Sequence, residues 1–402
     1  MKYFKLNNEK NLWMFLLSGA ILFYLLFSLV SITLSQIFIS LAFIFFLLSL
    51  FLGKEKFEFP SFFWPLIAYS ALSLISCFSS ESPLTSLLDS PKLLLFLIVP
   101  IVYTGFRQQK MLKRVNLALL ASGILSCLYS LLYFVFKASP GERIKGFMGH
   151  YMTQAGLLLL FSCMALSLFL ISRDKIRFLW GLGLLLALVS LILTLTRSAW
   201  IGLVVAVTLI LLLYRPKFLI IVPLTVGLFF LVSPQHVKNR ALSIFSLKTP
   251  SNLDRLELIR EGLKVIRESP LFGIGPNMVN KRVQIERQKE IKQKNGLPKD
   301  TVRDPVHLHN NIIQIGAERG IPALLAWMTF IVWTFISLVR LLRNKSPSLY
   351  PLTVAALASI AALFSAGLFE YNFGDSEITM LFLYMITIPF SQARTLKKEN
   401  KE

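Results

Sequence analysis

The chain has 402 residues, 55% of them hydrophobic and only 16% charged, with 34 phenylalanines and a net charge of +21. A soluble protein of this length carries more charge, and apolar runs of about 20 residues, each able to cross a bilayer core, recur here. The composition excludes a soluble globular enzyme and predicts an all-α polytopic membrane protein.

The first apolar run, 12–30, leads straight into another, so it reads as a retained helix and not as a cleaved signal peptide. About twelve transmembrane helices are predicted, at 12–30, 32–52, 60–78, 88–106, 115–136, 152–172, 178–196, 198–214, 218–233, 320–342, 350–369 and 376–391. They form a single integral membrane domain, 1–402, with one large hydrophilic segment, 234–319, between the ninth and tenth spans. With both termini cytoplasmic, the inner loops and tails hold 21 of the 42 Lys/Arg. The short outer loops then hold only Lys92, Lys137, Arg143, Lys145 and Arg197, as the positive-inside rule requires. The long segment holds the other 16 and is largely exempt from the rule. Much of the basic charge is therefore orientation signal, helped by anionic membrane lipid, and no nucleic-acid partner is expected. The outer surface stays mildly basic, which suits an anionic ligand. Cys77, Cys127 and Cys163 show neither a disulfide framework nor metal-ligand spacing and read as small core residues.

Arg143 lies in the outer loop Glu142-Arg143-Ile144-Lys145-Gly146-Phe147. Arg197, in Thr196-Arg197-Ser198-Ala199-Trp200, interrupts an apolar stretch. A charge so placed is either functional or an interfacial anchor that snorkels to water. Ser251 with Asp254 resembles a helix N-cap. Leu256, Ile259, Leu263 and Ile266 then predict an amphipathic helix lying on the membrane or on the bundle, with Arg255 near its start. The run Ser269–Asn277 ends that helix. Its Gly273-x-Gly275 reads as a turn, since no Gly-Lys-Ser/Thr follows. Residues 281–294, with Glu286 and Glu290 among many Lys/Arg, read as a solvated helix or a surface for a phosphorylated glycolipid.

His307-Leu308-His309-Asn310-Asn311 holds two of the four histidines, the side chain best suited to moving a proton near neutral pH. A metal pair lacks both a His-Glu-x-x-His pattern and a third ligand nearby in the sequence. Asn310, Gln314 and Glu318 recur every four residues and form one polar stripe on a helix. The stripe is either a polar helix start or the support of a general base. His150 and His236 read as surface or interface residues. Asp375-Ser376-Glu377 reads as the cap of the last span in preference to a metal-binding Asp-x-Glu. Arg143, Arg197, Arg255 and the histidine pair come from separate loops yet fall on one predicted face. Arginine's planar fork matches phosphate oxygens, so two of them could hold a diphosphate and neutralise it as it leaves.

Together, Arg143–Gly149, Thr196–Gly202, Arg255 with the Pro270–Gly275 turn, and His309–Pro322 resemble the O-antigen ligase / O-antigen polymerase family of bacterial envelope glycosyltransferases. The resemblance covers about residues 140–345, and the first five spans carry no matching motif. It implies a GT-C-like helical fold in the bacterial inner membrane, with the site on the periplasmic side. It implies an undecaprenyl-diphosphate-linked glycan donor. The acceptor is a lipid A–core sugar for a ligase, or another lipid-linked repeat for a polymerase. The implied transfer is inverting, independent of metal, and needs no cofactor. By motif position His309 is the catalytic histidine and Arg197 the outer-face arginine. Arg255 fits the second arginine best, with Arg260 and Arg267 as alternatives on the same helix. His307, Arg143, Asn310 and Glu318 are expected around the substrate, with Glu318 or Asn310 orienting His309. A reading from another class, a lipid-linked glycan transporter or flippase, calls for interrupted spans in matching halves. No internal repeat is visible, and the polar residues gather at one surface.

Overall fold

The computed structural model describes residues 2–53, 56–106, 109–139, 141–246, 249–285 and 307–399, the side chains of 2–11 and 399 excepted. Among the described residues there are helices and no strands. In chain order they are α1 (Lys2–Phe27), α2 (Ile32–Phe51), α3 (Phe63–Phe78) and α4 (Pro83–Asp89), then α5 (Ile98–Thr104), α6 (Gln109–Phe136) and α7 (Tyr151–Ile171). There follow α8 (Arg177–Leu193), α9 (Arg197–Tyr214), α10 (Ile221–Val232), α11 (Gln235–Leu242) and α12 (Pro250–Glu268). The last three are α13 (Asn311–Leu341), α14 (Tyr350–Gly367) and α15 (Ser376–Glu399).

Among the described residues, seven helical segments are long and apolar enough to cross a membrane: α2, Pro83–Thr104 as one unit, α6, α7, α9, α13 and α14. Four shorter apolar helices accompany them: Leu12–Phe27, Phe63–Phe78, Arg177–Leu193 and Pro216–Val232. The predicted tenth span starts later than the helix does, because α13 begins at Asn311 and runs through position 320. Glu286 and Glu290 lie outside the described residues.

The middle of the bundle is α7 and α14, both buried over most of their length. A helix buried all round must be apolar all round and narrow enough for close neighbours. The Ala/Ser-rich sequence of α14 meets both needs. Against it packs α9, where a Cβ on Gly202 would come within 2.7 Å of the Ala362 carbonyl oxygen. Core hydroxyls are returned to the backbone, as Ser162 and Ser359 donate to the carbonyls of Leu158 and Ala355. In an apolar surrounding such groups need an internal partner. The three cysteines are free and buried, as expected of core residues.

A second, smaller core holds the hydrophilic segment against the bundle. Leu258 and Val265 of α12 pack with Val279, Val283, Leu308 and Ala317. The predicted stripe is rotated: Leu256 and Leu263 are each 41% exposed, whereas Leu258, Gly262 and Val265 are buried. The reason is Gly262, where a Cβ would meet Ile313 at 2.3 Å and Leu308 at 2.7 Å. A glycine there lets α12 lie directly on α13, and that contact sets which face turns inward. The N-cap is Thr249, not Ser251, with Pro250 in the first turn, a position where proline's missing N–H costs nothing.

Candidate functional site

Three chain segments meet around the histidine pair. His309 has a left-handed backbone, φ 51°, a conformation that costs a non-glycine residue about 1–3 kcal/mol and marks sites where geometry is imposed. The next residue, Asn310, caps α13 by accepting from the Ile313 N–H, and its amide donates to the Leu368 carbonyl at 2.9 Å. Asn311 donates to Asn372 Oδ1 at 2.7 Å and accepts from the Phe373 N–H. The two asparagines thus clasp the turn after α14 to the start of α13, and that turn carries Glu370.

Glu370 is buried, and its oxygens divide between the histidines. Oε2 lies 3.0 Å from His309 Nδ1, and Oε1 lies 3.3 Å from His307 Nε2. A carboxylate only accepts, so His309 carries its hydrogen on Nδ1 and keeps its lone pair on Nε2. That Nε2 has no hydrogen-bond partner among the described residues. His307 accepts the His309 backbone N–H on Nδ1 at 3.3 Å, which puts its hydrogen on Nε2, facing Glu370.

Burial alone would raise the Glu370 carboxyl. The His309 hydrogen bond and the charges of His309, His307 and Arg255 outweigh burial and hold the carboxyl below its usual range. Burial pushes the His307 imidazole down, and the opposing charge of Glu370 does not fully restore it.

The cluster supplies the third metal-type ligand that the local sequence lacked, since ligand atoms of His307, His309 and Glu370 lie within 4.8 Å of one another. The hydrogen bonds argue against that use. With Nδ1 of His307 occupied as an acceptor, its hydrogen sits on Nε2, which then offers no lone pair to an ion.

A few residues away in space, four arginines gather around the turn between α8 and α9. Leu195, also left-handed at φ 51°, turns its carbonyl toward two of them. Arg143 donates to that oxygen at 3.1 Å and Arg240 at 3.2 Å. Arg143 also donates to Thr194 O and Thr196 Oγ1 and lies over the Tyr151 ring at 3.4 Å. Arg197, the first residue of α9, is buried and donates to Ser243 O and Oγ, Ser251 Oγ and Asn252 Oδ1, all within 2.9 Å. Ser251, the expected cap, is thus an arginine ligand.

Arg255 makes no hydrogen bond or ion pair among the described residues. No carboxylate pairs with any of the four within that set. Burial draws the Arg143 guanidinium down to about 10; Tyr151 opposes it, and the charges of Arg240, Arg197 and Arg255 add to the lowering. Arg240 is lowered by burial and by Arg255. The group therefore carries one sign of charge, which each member feels from the others. Arg255 links the two groups, since its charge acts on Arg143 and Arg240 and also on Glu370.

The other expected residues lie elsewhere or have other work. Glu318 is buried and accepts from the Asn277 N–H, Gln314 Nε2 and Arg319. Gln314 in turn accepts the Leu308 N–H at 2.7 Å. The polar stripe is real, but it ties backbone together, and Glu370 takes the part foreseen for Glu318 or Asn310. Arg260 and Arg267 are exposed around a separate hollow with Leu263, Lys264 and Glu268. Asp375 caps α15 through the Ile378 N–H. Exposed His150 lines the cavity beside His307, whereas His236 is an exposed residue of α11.

Sequence reasoning missed Glu370 and Arg240. An acidic residue at the end of an apolar run was the available signal for the first. The second sat unremarked in a basic segment. No curated protein matches the chain. Residues 182–328, a segment that holds Arg197, Arg240, Arg255 and His309, match the family model described as O-Antigen ligase.

Proposed function

We propose that the protein moves a glycan from undecaprenyl diphosphate to a sugar hydroxyl of lipid A–core. The observation that carries this reading is made among the described residues: a histidine held by a buried carboxylate, its Nε2 without a partner, and four arginines without an acidic partner. In one displacement, His309 Nε2 takes the proton of the acceptor hydroxyl. Its oxygen bonds to the anomeric carbon as the bond from that carbon to the diphosphate breaks, which inverts the centre. The proton is then released, and the diphosphate leaves carrying the electron pair. Arg255, with no other partner among the described residues, binds the diphosphate. Arg197 holds the α11–α12 segment around it, and Arg143 adds positive potential. Electrostatic stabilisation of this kind needs neither metal nor cofactor.

The wider reading is a GT-C-like bundle of about twelve spans in the bacterial inner membrane. Both termini are cytoplasmic and the 234–319 segment is periplasmic. The topology rests on the distribution of Lys/Arg and on the apolar helices, and the GT-C-like fold and bacterial inner membrane on the resemblance to the O-antigen ligase family.

The test is glycan transfer in membranes containing His309→Ala or Arg197→Ala at normal expression. Each substitution is expected to lower transfer on the order of a hundredfold or more, and EDTA is expected to leave the wild type active. Near-normal transfer by both variants would overturn the assignment. A ladder of lengthening lipid-linked chains, in place of single transfer to lipid A–core, would instead identify repeat-unit polymerisation with the same donor.

A further inference from the structure

The bundle has a second polar end. Helix α7 begins at Tyr151 under the Arg143 guanidinium, α9 begins at Arg197, and α14 ends beside Leu368, whose carbonyl takes the Asn310 amide. Their other ends, Ile171, Tyr214 and Tyr350, meet around a hollow of about 350 Å³. The 18 residues of α9 have a length of roughly 27 Å, close to the thickness of a bilayer core. The hollow therefore lies at the membrane surface opposite His309.

Four cations line it: Arg173 and Arg177 from the turn between α7 and α8, Arg215 after α9, and Lys345 before α14. No carboxylate does, and none of the four makes an ion pair among the described residues. Asp174, the neighbour of Arg173 in the chain, pairs with Lys113 at 3.7 Å in a different hollow. The positive-inside rule makes such loops basic. It does not require three of them to converge on one concave surface or to leave acid out of it. Arg177 stands at the first position of α8, where the helix dipole has its own sign, a placement that an anion relieves. The walls are tied together. Tyr350 Oη donates to Leu213 O at 2.8 Å and Ser167 Oγ to Pro351 O at 2.6 Å, joining α14 to α9 and α7. Lys345 Nζ lies 3.9 Å from the centre of the Tyr350 ring, a contact that steadies an ammonium.

The surroundings select a lipid over a soluble anion. Phe178, Leu182, Leu185 and Val189 are all exposed on α8, at spacings that put them on one face. That stripe begins beside Arg177, whose guanidinium lies over the Phe178 ring at 4.9 Å. A phosphate in the hollow can therefore carry an acyl chain along α8. We propose that the hollow binds the phosphate headgroup of an anionic glycerophospholipid. In the topology given above the lipid belongs to the cytoplasmic leaflet, whose surface is anionic. The inference goes beyond the transfer reading and does not depend on it.

The test is thermal unfolding of the purified full chain in a nonionic detergent, titrated with dioleoyl phosphatidylglycerol, dioleoyl phosphatidylcholine or inorganic phosphate. A ligand that binds only the folded chain raises its Tm. Phosphatidylglycerol is expected to raise the wild-type Tm by several degrees, and the other two to leave it within about one degree. Arg173→Gln/Arg215→Gln alters exposed side chains. It is expected to raise the lipid concentration at half-maximal shift roughly tenfold or more, since two charge-assisted contacts are lost. Lys110→Gln/Arg114→Gln removes the same charge from exposed positions of α6 outside the hollow and is expected to keep the wild-type titration. No shift with phosphatidylglycerol, an equal shift with phosphatidylcholine, or an unchanged titration in Arg173→Gln/Arg215→Gln would each overturn the site. Equal weakening in the α6 variant would do so too, by showing attraction to net charge alone. An equal shift with inorganic phosphate would overturn the lipid assignment in favour of a soluble anion.

Discussion

The direction in which His309 presents its lone pair is decided by residues that never meet a substrate in the scheme above. Asn310 and Asn311 hold the turn bearing Glu370, and Glu370 holds the Nδ1 hydrogen. Glu370→Gln replaces an acceptor-only group by an amide that can turn a donor toward the ring and favour the wrong tautomer. The expected result is a kcat lowered on the order of a hundredfold with the donor KM little changed and partial recovery in Glu370→Asp. An equal loss in the two variants would point to a structural role instead.

The same change has a pH signature. The folded Glu370 carboxyl lies below its unfolded value, so its stabilisation is present above the unfolded carboxylate range and lost as pH falls through the folded one. His307 is also depressed, so below the usual imidazole range the unfolded chain takes up a proton that the folded chain refuses. Both terms make acid destabilising. In Glu370→Gln the lower, carboxylate part of that decline is expected to disappear from unfolding curves followed against pH. Arg240, bonded to the same carbonyl as Arg143, belongs with the proposed diphosphate site. Arg240→Ala is expected to cut transfer roughly tenfold or more, mainly through the donor KM. Arg260→Ala, an exposed change, is expected to stay within about twofold. Equal effects would erase the distinction drawn between them.

At the level of elements, the site depends on a kink and a turn that complete each other. Helix α13 breaks at Gly320, whose φ is 81° and ψ 171°, a backbone only glycine adopts readily. The break frees the carbonyls of Ala317 and Glu318, which accept from the N–H groups of Ile274 and Gly275, while the Ile321 N–H donates to Pro270 O. The Gly-x-Gly stretch is thus a splint for α13. A Cβ at position 320 would lie 2.3 Å from the Leu271 carbonyl oxygen. Gly320→Ala is therefore expected to cost about 1–3 kcal/mol, read as a Tm lower by several degrees in detergent, and to lower transfer with it. A Tm equal to wild type would show that the splint yields. The turn was legible as a turn from its glycines and proline. Its partner was not, because the matching kink lies more than 40 residues further along the chain.

Across the whole molecule, the Lys/Arg asymmetry makes a prediction about orientation. The three native cysteines are buried, so single exposed cysteines can report sidedness. Lys145→Cys is expected to react with a membrane-impermeant maleimide in intact spheroplasts, and Lys113→Cys only after permeabilisation. The reverse pattern would invert the topology and place the site at the cytoplasmic face.

The sequence by itself determined the helical membrane class and the approximate helix positions, and it pointed to His309, Arg197 and Arg255 as candidates. Hydrophobic run length, basic asymmetry and short motifs are all local properties, and each survives folding unchanged. Only the tertiary structure decided that Glu370, 61 residues from His309, is its partner. It alone brought Arg240 to the Leu195 carbonyl. Those are distances between segments, and distance between remote segments is set by how helices such as α12 and α13 pack, which no local pattern records.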